Sequence, residues 1–178
     1  MGAITRALAN NITTGGVILP SGINNTSISN VTAMPAGVGG KVLQVVSTAK
    51  TNNFSTIATS DTAVTGLSLS ITPSSSSNKI FVIFTGVTAC QNTATYLGSI
   101  SIYRDSTRIV GGQAGNTQAA SGHTQSSLSI LDTPSTTSAI TYQLYAKSEG
   151  NSSAVYINQP SGVVLDEKAV ITAYEIAG

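Results

Sequence analysis

Side chains able to do covalent or acid–base chemistry are few. The 178 residues hold one histidine, His123, one cysteine, Cys90, and seven carboxylates: Asp61, Asp105, Asp132, Glu149, Asp166, Glu167 and Glu175. A hydrolase needs an acid, base or nucleophile converging on one bond. Only Asp166 and Glu167 are adjacent, and neighbouring residues of an extended chain point to opposite sides. That does not give the facing carboxylates of glycoside hydrolysis. A metal site would need ligand spacing around His123 or Cys90, and none is present. Gly39-Gly40 and Gly111-Gly112 lack the Lys-Ser/Thr and the helix of a phosphate loop. No catalytic residue, metal ligand or cofactor is assigned. His123 reads as a solvated loop residue. Cys90 reads either as a small buried apolar side chain or as half of a bond to the same residue in a partner chain.

One set of residues could recognise a ligand without reacting with it. Tyr103, Arg104, Asp105 and Arg108 cluster around a turn, and Asn92 and Tyr96 flank a polar loop. Tyrosine beside Asn, Asp and Arg can stack on a sugar ring and hydrogen-bond its hydroxyls. The same residues also occur on inert hairpins, so these six are candidates only.

The elements that must carry these residues are strands. Val42 to Ala49 is strand-like. Val64 to Thr72 alternates, with Leu67, Leu69 and Ile71 opposite Ser68, Ser70 and Thr72. Pro73 ends it, and Ser74 to Asn78 is a polar turn. Lys79 to Thr85 is apolar on both faces, so it is either central between layers or covered by another chain. Phe81 and Phe84 are the candidates for a subunit contact. Further runs follow at Tyr96–Tyr103, Arg108–Val110, Leu128–Ile130, Ile140–Lys147, Ala154–Asn158 and Ala169–Ile176. Gly111 to Gly122 reads as an exposed loop. The count is about nine strands with no long helix, a pattern of antiparallel sandwiches and barrels.

Met1 to Gly37 differs. Gly, Pro and Asn interrupt it every few residues, and its apolar residues form islands, chiefly Val17-Ile18-Leu19 and Ile28. Such a segment buries little surface alone. It reads as an extended arm whose islands anchor on another chain, or else as a disordered tail. Two segments are expected: an arm over 1–37 and a folded domain over 38–178.

Composition narrows the function. Charged residues are 8% of the chain, against about 25% in ordinary domains. Hydrophobic residues are 40% and the mean hydropathy is +0.20, which favours folding. The formal net charge is +1, with no basic cluster to neutralise phosphates, so no nucleic-acid partner is expected. No apolar run is long enough for a membrane span.

The ordered set GKVLQVVSTAKT, FST, VTGLSLSITPSSSSNKIFV, SIYRDSTRIVGG, LDTPSTTSAITYQLYAKS, VYIN and ITAYEIAG resembles a jelly-roll domain recurrent in structural proteins of tailed bacteriophages. It spans roughly residues 38 to 178. The resemblance implies an all-β, antiparallel jelly-roll sandwich (TNF/C1q-like), a homotrimer, and a place in the virion after assembly in the bacterial cytoplasm. It points to a tail or baseplate fibre whose arm docks on other virion proteins and whose loops touch a host surface glycan. Two alternatives remain open at this point: a capsid decoration or cement protein, and a soluble carbohydrate-binding module.

Overall fold

A computed structural model describes residues 41–91, 98–114, 124–150, 154–158 and 168–178. The arm, with Val17, Ile18, Leu19 and Ile28, lies outside the described residues. So do Asn92, Tyr96, His123, Asp166 and Glu167.

Ten strands are described: β1 (Val42–Lys50), β2 (Phe54–Thr56), β3 (Thr62–Ile71), β4 (Lys79–Gln91), β5 (Gly98–Arg104), β6 (Thr107–Ala114), β7 (Thr124–Asp132), β8 (Ile140–Ser148), β9 (Ala154–Ile157) and β10 (Ala169–Ile176). They form two antiparallel sheets. The first runs β1-β10-β4-β9-β2, with β7 also pairing β4; the second runs β3-β8-β5-β6. Chain neighbours mostly sit in different sheets, and the β5–β6 hairpin is the one consecutive pair described. This is the antiparallel jelly-roll sandwich that the alternating patterns lead one to expect.

The first sheet is built on β4. Its residues 79–85 pair with β10 and 88–91 with β9, while 80–88 pair with β7. Both of its hydrogen-bonding edges are therefore occupied. Its inward residues Ile80, Val82 and Phe84 join Leu67, Ile102 and Leu144 of the second sheet in one core. β8 and β10 alternate buried and half-buried residues throughout, as a period of two requires.

Several elements differ from the sequence expectation. β2 is a three-residue strand that alternation cannot reveal. Gly111–Ala114 is not loop but the end of β6, paired with Gly98–Ser101 of β5. Val64 and Leu67 both face the core although an odd number of positions, three, separates them, because the register between β3 and β8 slips there. Gly66 takes a φ of 87° at that bulge, a backbone that a residue with a Cβ rarely adopts.

One inward position of β10 holds an acid. Glu175 is 1% exposed. Oε1 accepts the Ser74 backbone N–H at 2.6 Å, the Ser74 hydroxyl at 2.8 Å and Asn78 Nδ2 at 2.6 Å. Oε2 accepts Gln44 Nε2 at 2.6 Å. The carboxylate thereby ties β1 and β10 to the polar turn before β4. The same turn reaches the chain end, where Gly178 N–H donates to Asn78 Oδ1. Burial pushes the carboxyl pKa up, but the donors from Asn78, Gln44 and Ser74 outweigh it and bring it from 4.5 to about 2.

The sign of the resulting pH dependence follows. The folded-state pKa lies below the unfolded one, so the contribution of Glu175 is complete above about pH 4.5 and is lost as pH falls through about 2. Glu175→Gln would aim an amide N–H₂ at existing donors. It should cost about 2–3 kcal/mol at pH 7 and flatten the acid limb of stability. Urea unfolding at pH 7 and pH 3 measures both; an unchanged acid limb in the variant would show that the acid sensitivity lies elsewhere.

Candidate functional site

The β5–β6 hairpin carries the four described ligand candidates, and the structure separates them into two pairs. Asp105 occupies the turn with a φ of 51°. Its backbone N–H donates to the Thr141 carbonyl at 2.8 Å, and its Oδ1 accepts the Thr141 N–H at 3.0 Å. Asp105 is thus used to pin the hairpin tip to β8. Arg104 Nη1 donates to both oxygens of Asp132 at 2.8 and 2.9 Å, and the Tyr142 hydroxyl donates to Asp132 Oδ2 at 2.6 Å. Arg104 and Tyr142 belong to the second sheet and Asp132 ends β7 of the first. The three side chains clamp the sheets together at one end. Tyr142 is fully buried, and burial followed by the Asp132 carboxylate drives its hydroxyl pKa well above the ordinary value of 10.

Tyr103 and Arg108 lie on the other side of the hairpin. They oppose each other in register, because Ile109 bulges out of the pairing. Both belong to the outer face of the second sheet. The Tyr103 ring packs on Tyr145 of β8, with centroids 4.2 Å apart and planes tilted by 39°. Its hydroxyl donates to Asp61 Oδ2 at 2.6 Å. That bond, then burial, raises the Tyr103 pKa. Arg108 folds across Gly111, where a Cβ would collide with its guanidinium. Nearby, Lys147 and Glu149 form an ion pair at 3.3 Å. A hydrogen bond from Ser99 lowers the Glu149 pKa against a smaller effect of burial, with help from Lys147. Asp61 Oδ1 and Ser101 Oγ, both buried atoms, have no hydrogen-bond partner.

Sequence reasoning did not reach two members of this group. Tyr145 was recognisable as an outward residue of β8, but nothing local marks it as the neighbour of Tyr103. Asp61 precedes β3 and lies 42 positions from Tyr103; a contact at that range leaves no periodic trace.

The first sheet presents a different outer face. Val45 of β1 pairs with Tyr174 of β10, Tyr174 with Phe81 of β4, and Phe81 with Leu131 of β7. One apolar row crosses all four strands. Phe81 and Tyr174 have ring centroids 6.1 Å apart. Val45 is 53% exposed and Leu131 49%, with Val42 and Leu43 exposed beside them. Phe81 therefore stands where a second chain could reach it. Phe84 does not: it is 0% exposed and packs inside the sandwich, so its place as a subunit-contact candidate is corrected. The strand is apolar on both faces because one face meets the core and the other the surface. Cys90 is also buried in the core, which raises its thiol pKa.

Every described carboxylate is engaged: Asp61 with Tyr103, Asp105 with the Thr141 backbone, Asp132 with Arg104 and Tyr142, Glu149 with Lys147, and Glu175 with Gln44, Ser74 and Asn78. Among the described residues no three His, Cys, Asp or Glu side chains converge as metal ligands.

No protein-family model matches the chain, and no curated protein is significantly similar to it. Solved structures do match. A mutant VP2 protein of infectious bursal disease virus in derived T=1 particles is 13% identical, with a TM-score of 0.42 over 74% of this chain and 36% of that one. The structure of the Gt strain of the same virus gives 13% identity and a TM-score of 0.42 over 76% and 38%. A VP2 subviral particle of that virus gives 15% and 0.39 over 75% and 40%. The chain thus spans about two fifths of those chains or less. Likeness at that level is no guide to function.

The clamp at Asp132 yields a stability prediction. Tyr142→Phe removes one donor from the half-buried Asp132 carboxylate and should cost about 1–2 kcal/mol. Tyr145→Phe, on the outer face, should stay within about 0.5 kcal/mol. Denaturant midpoints at pH 7 test the contrast; equal losses would mean that the inter-sheet bond contributes nothing particular.

Proposed function

We propose that this chain is a non-enzymatic structural protein of a tailed-phage virion, tail- or baseplate-fibre-like, that assembles as a homotrimer through the outer face of its first sheet. The observation that carries the reading is the outward row Val45, Tyr174, Phe81 and Leu131, exposed at its two ends and half-buried at its two aromatic rings. An apolar stripe crossing four strands costs free energy in water and favours a partner surface. A second copy of the chain is the occupant proposed. Charged residues are scarce and the net charge is +1, so copies repel one another weakly. The threefold number comes from the resemblance to phage jelly-roll domains, and the exposed apolar residues of the first sheet support the choice of face.

The arm over 1–37 is proposed as the attachment to the particle. Its islands would order on a virion partner, with binding offsetting the ordering entropy. Attachment on the shell, with the same assembly, would make the chain a decoration protein.

Electron microscopy of purified particles with gold-labelled antibody tests the placement. Label at the tail or baseplate is the expected result. Label over the whole head selects the decoration reading. Particles that carry no label, while the free protein is detected in the lysate, would overturn the virion role.

A further inference from the structure

We propose that the outer face of the second sheet is a binding surface for a neutral saccharide, with Tyr103 and Tyr145 as its stacking platform and Arg108 as its main hydrogen-bond donor. This goes beyond the assembly reading and uses the opposite face of the sandwich, so each can fail without the other.

The outer face of the second sheet is otherwise short and polar, with Ser68 and Ser70 on β3 and Thr141 and Gln143 on β8. The two tyrosines are the aromatic side chains described on that face. Each is half-buried, so part of each ring remains open to solvent. A sugar ring has an apolar C–H face that lies on such a ring while its hydroxyls reach sideways. The platform is held in place before any ligand arrives, because Asp61 accepts the Tyr103 hydroxyl at 2.6 Å. A preset ring loses little entropy on binding.

The polar groups around the platform suit hydroxyls. Arg108 is exposed and makes no hydrogen bond or ion pair to the described residues, although it carries five N–H donors. Gly111 leaves the space across which its guanidinium lies. Gln143 and the Lys147–Glu149 pair occupy the same face of β8 and its end. Ser101 stands opposite Tyr145 in register, buried beneath the platform. Asp61 and Glu149 balance Arg108 and Lys147 in formal charge. That balance disfavours a polyanion and selects a neutral sugar; a single-stranded nucleic acid would need a basic track beside the rings.

The test is a glycan array of neutral and acidic bacterial surface polysaccharides and oligosaccharides, probed with the full chain. Isothermal titration follows with the best monovalent oligosaccharide. Tyr145→Ala and Arg108→Ala should each weaken binding about tenfold or more. Gly111→Ala, which displaces Arg108, should weaken it as well. Ser70→Ala, on the same face but away from the cluster, should leave it unchanged. Thermal melting and sedimentation of every variant separate lost binding from lost fold or assembly, and Tyr145→Phe retains the ring should Tyr145→Ala fail to fold. Retention of neutral glycans with the loss pattern above supports the proposal. Binding of acidic glycans alone, no retained glycan, or affinity indifferent to Tyr145, Arg108 and Gly111 would overturn it.

Discussion

The hydrogen-bond pairing of β4 on both edges is the constraint from which the rest follows. A strand flanked by β10 and β9 on one side and β7 on the other is paired over most of its length on both edges, Phe81 included. Its inner side chains are committed to the core through Ile80, Val82 and Phe84. The outer face is then the one surface through which this strand can interact, and there Phe81 lies in line with Val45, Tyr174 and Leu131. Edge-to-edge addition at the centre of the sheet is closed, while face-to-face packing is open. A jelly roll with this arrangement is suited to assembling by its face, since the apolar row crosses strands that no further strand can separate.

Two carboxylates, the buried Glu175 and the half-buried Asp132, secure the sandwich in different ways. Glu175 has uncharged donors alone, and they hold β1, β10 and the turn before β4 in place. Asp132 has a guanidinium and a tyrosine from the facing sheet, and it joins layers rather than strands. Both charges are costly to bury and are retained because each acceptor is matched. The two outer faces differ in character: one carries an apolar row, the other two tyrosines among polar side chains.

Much of this architecture was legible in the residues. Ile140, Tyr142, Leu144 and Ala146 alternate with Thr141, Gln143, Tyr145 and Lys147, and β8 buries the first set. The closing strand behaves likewise, apart from Glu175, whose inward position could not be inferred because its partners lie about a hundred positions away. Phe81 and Phe84 show the limit of pattern reading. A strand apolar on both faces announces two buried sides without saying which meets its own core. The bulge at Gly66 hides Val64 from a strict period of two, and β2 is too short to have a period. Four of the ligand candidates fall on the β5–β6 hairpin, but composition could not assign them to its sides. Arg104 and Asp105 turn to structural bonds, while Tyr103 and Arg108 face outward, a division that depends on the bulge at Ile109.

The central claim is that the apolar row on the first sheet is covered by another copy of the chain. Sedimentation equilibrium of the purified protein, beside its Phe81→Asp variant, tests it most directly. The account requires a trimer at micromolar concentration for the native sequence and a folded monomer for the variant, because a charge placed in that row has no partner in the assembled state. A native chain that sediments as a monomer, or a Phe81→Asp variant that remains a trimer, would contradict it.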